Sequence, residues 1–138
     1  MHSNGVIEFS EAQAAELTSI LAAVQQADAA LAAAEAARVR ALARAGELAR
    51  ELAAGKPSRV REHDMALRSI AATIGVPARV SDRSMQRQIG EATRLAERSP
   101  GTLEARGLGE ITRQHVYAIQ DAAADLPDEA VAAFEAEA

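Results

Sequence analysis

Cysteine and tryptophan are missing from this 138-residue chain, and its aromatic residues amount to one tyrosine and two phenylalanines. The first absence excludes disulfides, thiolate metal sites and cysteine nucleophiles. Scarcity of rings means that any core must be built from small aliphatic side chains. No run of β-branched residues alternates with polar ones, so strand signals are lacking as well. No uninterrupted apolar run reaches about twenty residues, so no segment is expected to span a membrane. The start, Met1-His-Ser-Asn-Gly-Val-Ile-Glu8, lacks the basic and apolar regions of a signal peptide. A cytoplasmic location is the expectation.

What the chain does have is alanine, roughly a quarter of all residues, within a hydrophobic share of 49%. That composition favours helices packed at close range, and the fold class expected is all-α.

The net charge of -5 hides an asymmetry. All 15 basic residues fall between Arg38 and Arg113, among only nine acids, giving that block a net +6. The flanks carry the other eleven acids and no base. A basic centre between acidic ends suits a polyanion partner. Fourteen of the bases are arginine, the side chain best shaped for bidentate phosphate or guanine contacts.

Along the chain, Ser10-Glu-Ala-Gln13 is a capping-box pattern, with Phe9 placed as a hydrophobic staple. A helical pattern then runs to Ala53, where Gly55 and Pro57 supply a stop. Leu17, Leu21, Val24 and Leu31 keep an a/d-like rhythm that Asp28, Glu35 and Arg38 spoil; Leu42, Leu48 and Leu52 resume a stripe. One long helix, or two with a bend near Gly46, both satisfy this segment. Val60, Leu67, Ile70, Ala71 and Ile74 form the stripe of a second helix, ended or interrupted by Gly75 and Pro77. Ser81 caps a third helix through Arg98, stopped by Ser99-Pro100-Gly101. Thr102 to Gly107 is at most a helical turn. Thr112 caps a helix carrying Val116, Ile119 and Ala123, and Pro127 opens a last one with Val131 and Phe134. The expected organisation is an Ala-rich helical arm over 1–56 and a bundle over 57–138, or one continuous domain. The last helical pattern is still in stride at Ala138, as in the front piece of something longer.

Helix, glycine-containing turn and serine-capped helix make the outline of a helix-turn-helix. With Met85 at zero and ~100° per residue, Ile89, Ala92 and Ala96 form one narrow apolar stripe. Arg83, Arg87, Arg94 and Arg98 lie on the opposite side with Gln86 beside them, and Met65 and Met85 are core candidates. Such a helix could read a DNA groove, its first residues reaching base edges, its later arginines phosphates, and the amides around Ser81 one phosphate. Glu91 and Glu97, three or four residues from these arginines, allow the plainer reading of a salt-laced surface.

Other chemistry is sparse. His115 has no carboxylate at helical contact spacing, and His63 beside Asp64 reads as helix surface. Asp128 and Glu129 suit a first helical turn. Gly101, Gly107 and Gly109 lack the strand-before, helix-after context of a phosphate loop. No catalytic residue, metal ligand, cofactor or small-molecule substrate is expected.

Arg61-Glu62, Met65-Ala-Leu-Arg-Ser-Ile-Ala-Ala72 and Arg79-Val-Ser-Asp-Arg-Ser-Met-Gln-Arg-Gln-Ile89 resemble the actinobacterial domain-of-unknown-function 222 family. Thr102-Leu-Glu-Ala, Gly109-Glu-Ile-Thr-Arg-Gln-His-Val116, Asp121-Ala and Leu126-Pro are similar to the family's next segment. The resemblance implies an all-helical N-terminal module of the kind that commonly precedes an HNH endonuclease. An HNH site needs a histidine base and further His, Asn or Asp ligands around a metal. His2, His63 and His115 lie in separate contexts, so the expected part is non-catalytic. Double-stranded DNA is the expected partner, through Ser81, Arg83, Gln86, Arg87, Arg94 and Arg98. The alternative is a dimerisation or protein-interaction module working through the N-terminal helix.

Overall fold

A computed structural model describes residues 7–124 and 126–137. The chain is all-α, with six helices among the described residues: α1 Glu11–Ala53, α2 Arg59–Ala78, α3 Asp82–Arg98, α4 Pro100–Gly107, α5 Arg113–Ala123 and α6 Asp128–Glu137. Helix α1 is a single 43-residue rod, roughly 65 Å long at ~1.5 Å per residue. Its start is the expected capping box: Gln13 N donates to Ser10 Oγ at 3.1 Å and Ser10 N to the Gln13 side chain at 3.0 Å. Phe9 stays half exposed. The rod ends at an extended Ala54 and at Gly55, whose φ of +76° lies in the left-handed region that favours glycine.

The rod has two unlike halves. Every residue from Glu11 to Leu31 is exposed, whereas Ala32, Ala36, Leu42, Ala45, Gly46, Ala49 and Ala53 are buried. Only the first half is therefore an arm; the second is the spine of the bundle. The expected stripe of Leu48 and Leu52 is exposed, and alanines take the buried face in its place. The helix is unbroken at Gly46. A Cβ there would collide with Thr93 Oγ1, so glycine allows α1 and α3 to cross closely.

Helices α1, α2 and α3 share one core, in which Leu42, Ala45, Ala71, Met85, Ile89 and Ala92 are buried with Leu67, Ile70, Ile74 and Val80 against them. Val60 and Met65, expected on the buried side of α2, are exposed. A second cluster of Ala36, Leu95, Leu103 and Val116 joins α4 and α5 to the spine. Leu95, rather than the expected Ala96, completes the buried edge of α3. Pro100 stops α3 and at the same time opens α4, an eight-residue helix where a single turn was expected. Glu135 of α6 accepts a hydrogen bond from Thr102 N at the head of α4, across the space left by Gly101.

Candidate nucleic-acid interface and the adjoining cleft

The link between α2 and α3 is shorter than the sequence suggests. Helix α2 runs on through Gly75, Val76 and Pro77 to Ala78. It closes with Arg79 N donating to Val76 O at 3.1 Å and Val80 N to Gly75 O at 2.9 Å. This Schellman pair bypasses the proline, which has no N–H to give. Arg79 takes the left-handed position, φ 57°, that glycine usually fills. Gly75 serves another purpose. A Cβ there would sit 2.7 Å from Val80 O, so its absence lets the turn fold back over the helix. Only Arg79, Val80 and Ser81 separate the two helices, a connection of helix-turn-helix length.

Ser81 then caps α3, accepting from Ser84 N at 3.1 Å. Met85, Ile89, Ala92 and Leu95 anchor the inner face of α3 in the two cores. Arg83, Arg87 and Arg94 are exposed on the outer face. Arg83 and Arg94 have no hydrogen bond or ion pair among the described residues. Arg87 leans on Ser84 Oγ at 3.3 Å and sits 3.9 Å from Glu91. Gln86 is half-buried, its amide donating to Asp82 at 3.1 Å. Arg98 is turned away from this surface. With its side chain 27% exposed, it donates to Asp128 at 3.0 Å and to Leu126 O at 2.6 Å. It therefore fastens α3 to the segment leading into α6, and the exposed arginine set is smaller than the helical angles suggested. Arg79, two residues before the cap and exposed, extends the set on the other side.

Beside α3 lies a cleft of about 320 Å³ between α1, α3, α4 and α5, its apolar lining including Val39, Leu42, Leu95, Leu103 and Val116. At its edge Glu35 receives Arg106 at 2.8 Å and also pairs with Arg113. The Arg113 hydrogen bond, and after it Arg106, hold the Glu35 carboxyl below its ordinary range, against the upward push of partial burial. Glu35 in turn raises Arg113. Nothing in the sequence pointed to this triad, because Glu35 stands more than 70 residues from both arginines.

Comparison with family models, with curated proteins and with solved structures finds no match to the chain.

Among the described residues no group of three or more His, Asp or Glu side chains is arranged to hold a metal. His63 is half-buried on α2 and His115 exposed on α5; His2 lies outside the described residues. By length and composition alone, α1 is apolar enough to cross a membrane, with a window of mean hydropathy 1.2. Its exposed half also carries Glu11, Glu16, Gln25, Gln26 and Asp28.

Proposed function

We propose that this chain is a non-catalytic, DNA-positioning helical domain of an HNH-endonuclease-type protein, with α3 as its contact helix. The observation that carries this reading is the division of α3 into two faces. Met85, Ile89, Ala92 and Leu95 fix it in the cores, while Arg83, Arg87 and Arg94 stand in solvent. A helix held rigidly by one edge can present guanidinium groups to a groove without first being ordered, so binding costs less entropy. The three-residue link, the net +6 of the central block and the resemblance to the domain-of-unknown-function 222 family support it further. Arg83 and Arg87, in the first turns, are the base-facing candidates beside Gln86; Arg94 and Arg79 meet phosphates, and the amides after Ser81 take one more.

The test is duplex affinity as a function of salt. Each phosphate neutralised contributes about -0.9 to the slope of log K against log salt. Arg83→Ala and Arg87→Ala are expected to weaken binding by about 1–3 kcal/mol where they read a base, or to flatten the slope by about one where they meet phosphate. Arg98→Ala, which loosens an internal fastening, is expected to lower stability without changing that slope. A salt-independent affinity, or unchanged binding in the Arg83/Arg87 pair, overturns the proposal.

A further inference from the structure

The exposed half of α1 raises a separate question, independent of the DNA reading. Leu17, Ile20, Leu21, Val24 and Leu31 are each about half exposed, with Leu31 at 61%. Stepping ~100° per residue, all five lie within about 60° of Val24. Glu35, Arg38, Val39 and Leu42 continue the same strip, and these four line the cleft. One track, mainly apolar along the arm and flanked by Glu35 and Arg38 where it meets the cleft, thus leads from the free arm into the bundle. A continuous exposed track of this kind marks an interaction surface. Ahead of the arm, Ile7 and Phe9 are exposed as well, at 72% and 52%.

We infer that the track receives a second copy of this chain, laid antiparallel about a two-fold axis at Val24, with Ile7 and Phe9 of each copy seated in the other's cleft. Three observations fix the occupant. The spacing is reciprocal within the helix: Leu17 and Leu31 lie seven residues either side of Val24, and Phe9, just ahead of the Ser10 cap, ends the arm at about the level of Val39. A two-fold axis therefore sets leucine against leucine and Phe9 over the cleft floor, closing the assembly at two copies. The charges are complementary: Glu8, Glu11 and Glu16 precede the axis with no base before Arg38, while Arg38, Arg106 and Arg113 outnumber Glu35 and Glu91 around the cleft. Antiparallel packing brings these opposite charges together, and parallel packing stacks acid on acid. A bilayer fits poorly, because surface-lying helices carry Lys and Arg on the polar face and this arm is wholly acidic. Asp28 lies about 40° from the centre line, within the track, and the axis sets it across from Ile20, so it is the one acid the apolar contact must keep hydrated.

The chain has no cysteine, so single cysteines report the geometry directly. The full chain is expected to sediment as a concentration-dependent dimer. Under mild oxidation Val24→Cys is expected to cross-link to itself at least tenfold faster than Leu17→Cys, since only the axis residue meets its own copy. Leu17→Asp combined with Leu31→Asp, both at exposed positions, is expected to give a monomer of unchanged helix content. A monomeric mass at every concentration overturns the inference. So does equal cross-linking of Leu17→Cys and Val24→Cys, which marks a parallel pair. Monomeric chain that floats with vesicles of anionic phospholipid also overturns it, by assigning the track to a membrane.

Discussion

Replacing Gly46 by alanine tests the account of how α1 and α3 meet. Two effects oppose each other. In a helix interior, glycine to alanine gains about 1 kcal/mol. Against this, the added Cβ lands on Thr93 Oγ1, which is partly buried and held by its own hydrogen bond to Ile89 O at 2.8 Å. Swinging Oγ1 aside gives up that bond, worth roughly 0.5–1.5 kcal/mol, and separating the helices costs about 1–3 kcal/mol as overpacking does elsewhere. The steric cost exceeds the propensity gain, so Gly46→Ala is expected to destabilise by on the order of 1–2 kcal/mol. In a Thr93→Ala background the obstructing atom is gone, and the same substitution is expected to be neutral or stabilising. Urea unfolding followed by helical circular dichroism measures all four corners of this cycle. If Gly46→Ala alone is more stable than the parent by about 1 kcal/mol, α1 and α3 have room to spare and the close crossing is refuted.

Two further substitutions probe the turn and the Glu35 clasp. Arg79→Gly removes a side chain from a left-handed position and is expected to stabilise by about 1 kcal/mol, read as a higher melting temperature. Glu35→Gln is expected to cost about 1–2 kcal/mol at neutral pH. Most of that comes from Arg106, whose side chain is 16% exposed; Arg113, at 62%, has more influence on the Glu35 proton but is screened by water. The lowered pKa of Glu35 gives the pH dependence its sign. The unfolded carboxyl takes up its proton first, near pH ~4.3, so the stabilisation is complete above that and fades as pH falls through the lower folded value. The gap between parent and Glu35→Gln in unfolding titrations is therefore expected to close below about pH 4.

The helices and their caps were legible because they are local. Ser10, Ser81 and Thr112 each accept the backbone hydrogen bond that their spacing announced. Met85, Ile89 and Ala92 are buried as the period of α3 implied. What escaped depends on contacts distant in sequence. Apolar character alone could not show that the alanines at 45, 49 and 53, rather than Leu48 and Leu52, face the bundle, since close crossing rewards small side chains over large ones. Gly75 and Pro77 looked like a helix end, yet Arg79 takes the left-handed turn position while Gly75 supplies clearance. Pro100 reads equally well as a stop or a start, and here it is both. In the candidate site, helical angles placed Arg98 outward correctly as far as α3 alone is concerned. Acceptors 28 and 30 residues further on claimed its guanidinium, and no spacing rule reaches that far.

The way the last third of the chain is fastened has a consequence for its behaviour. Helices α1 to α3 interlock mainly through aliphatic side chains. To the buried contacts of Leu103, Val116 and Val131, α4, α5 and α6 add charged clasps: Glu35 with two arginines, Arg98 with Asp128, and Glu135 at the head of α4. Hydrocarbon contacts are indifferent to ionic strength in a way that such clasps are not. The molecule is thus a frame of hydrocarbon contacts with a second layer in which charge adds to burial, the two meeting where α3 gives way to Ser99 and Pro100. Acid or concentrated salt would weaken that second layer first, its buried aliphatic contacts remaining, and leave the frame with its arginine face untouched.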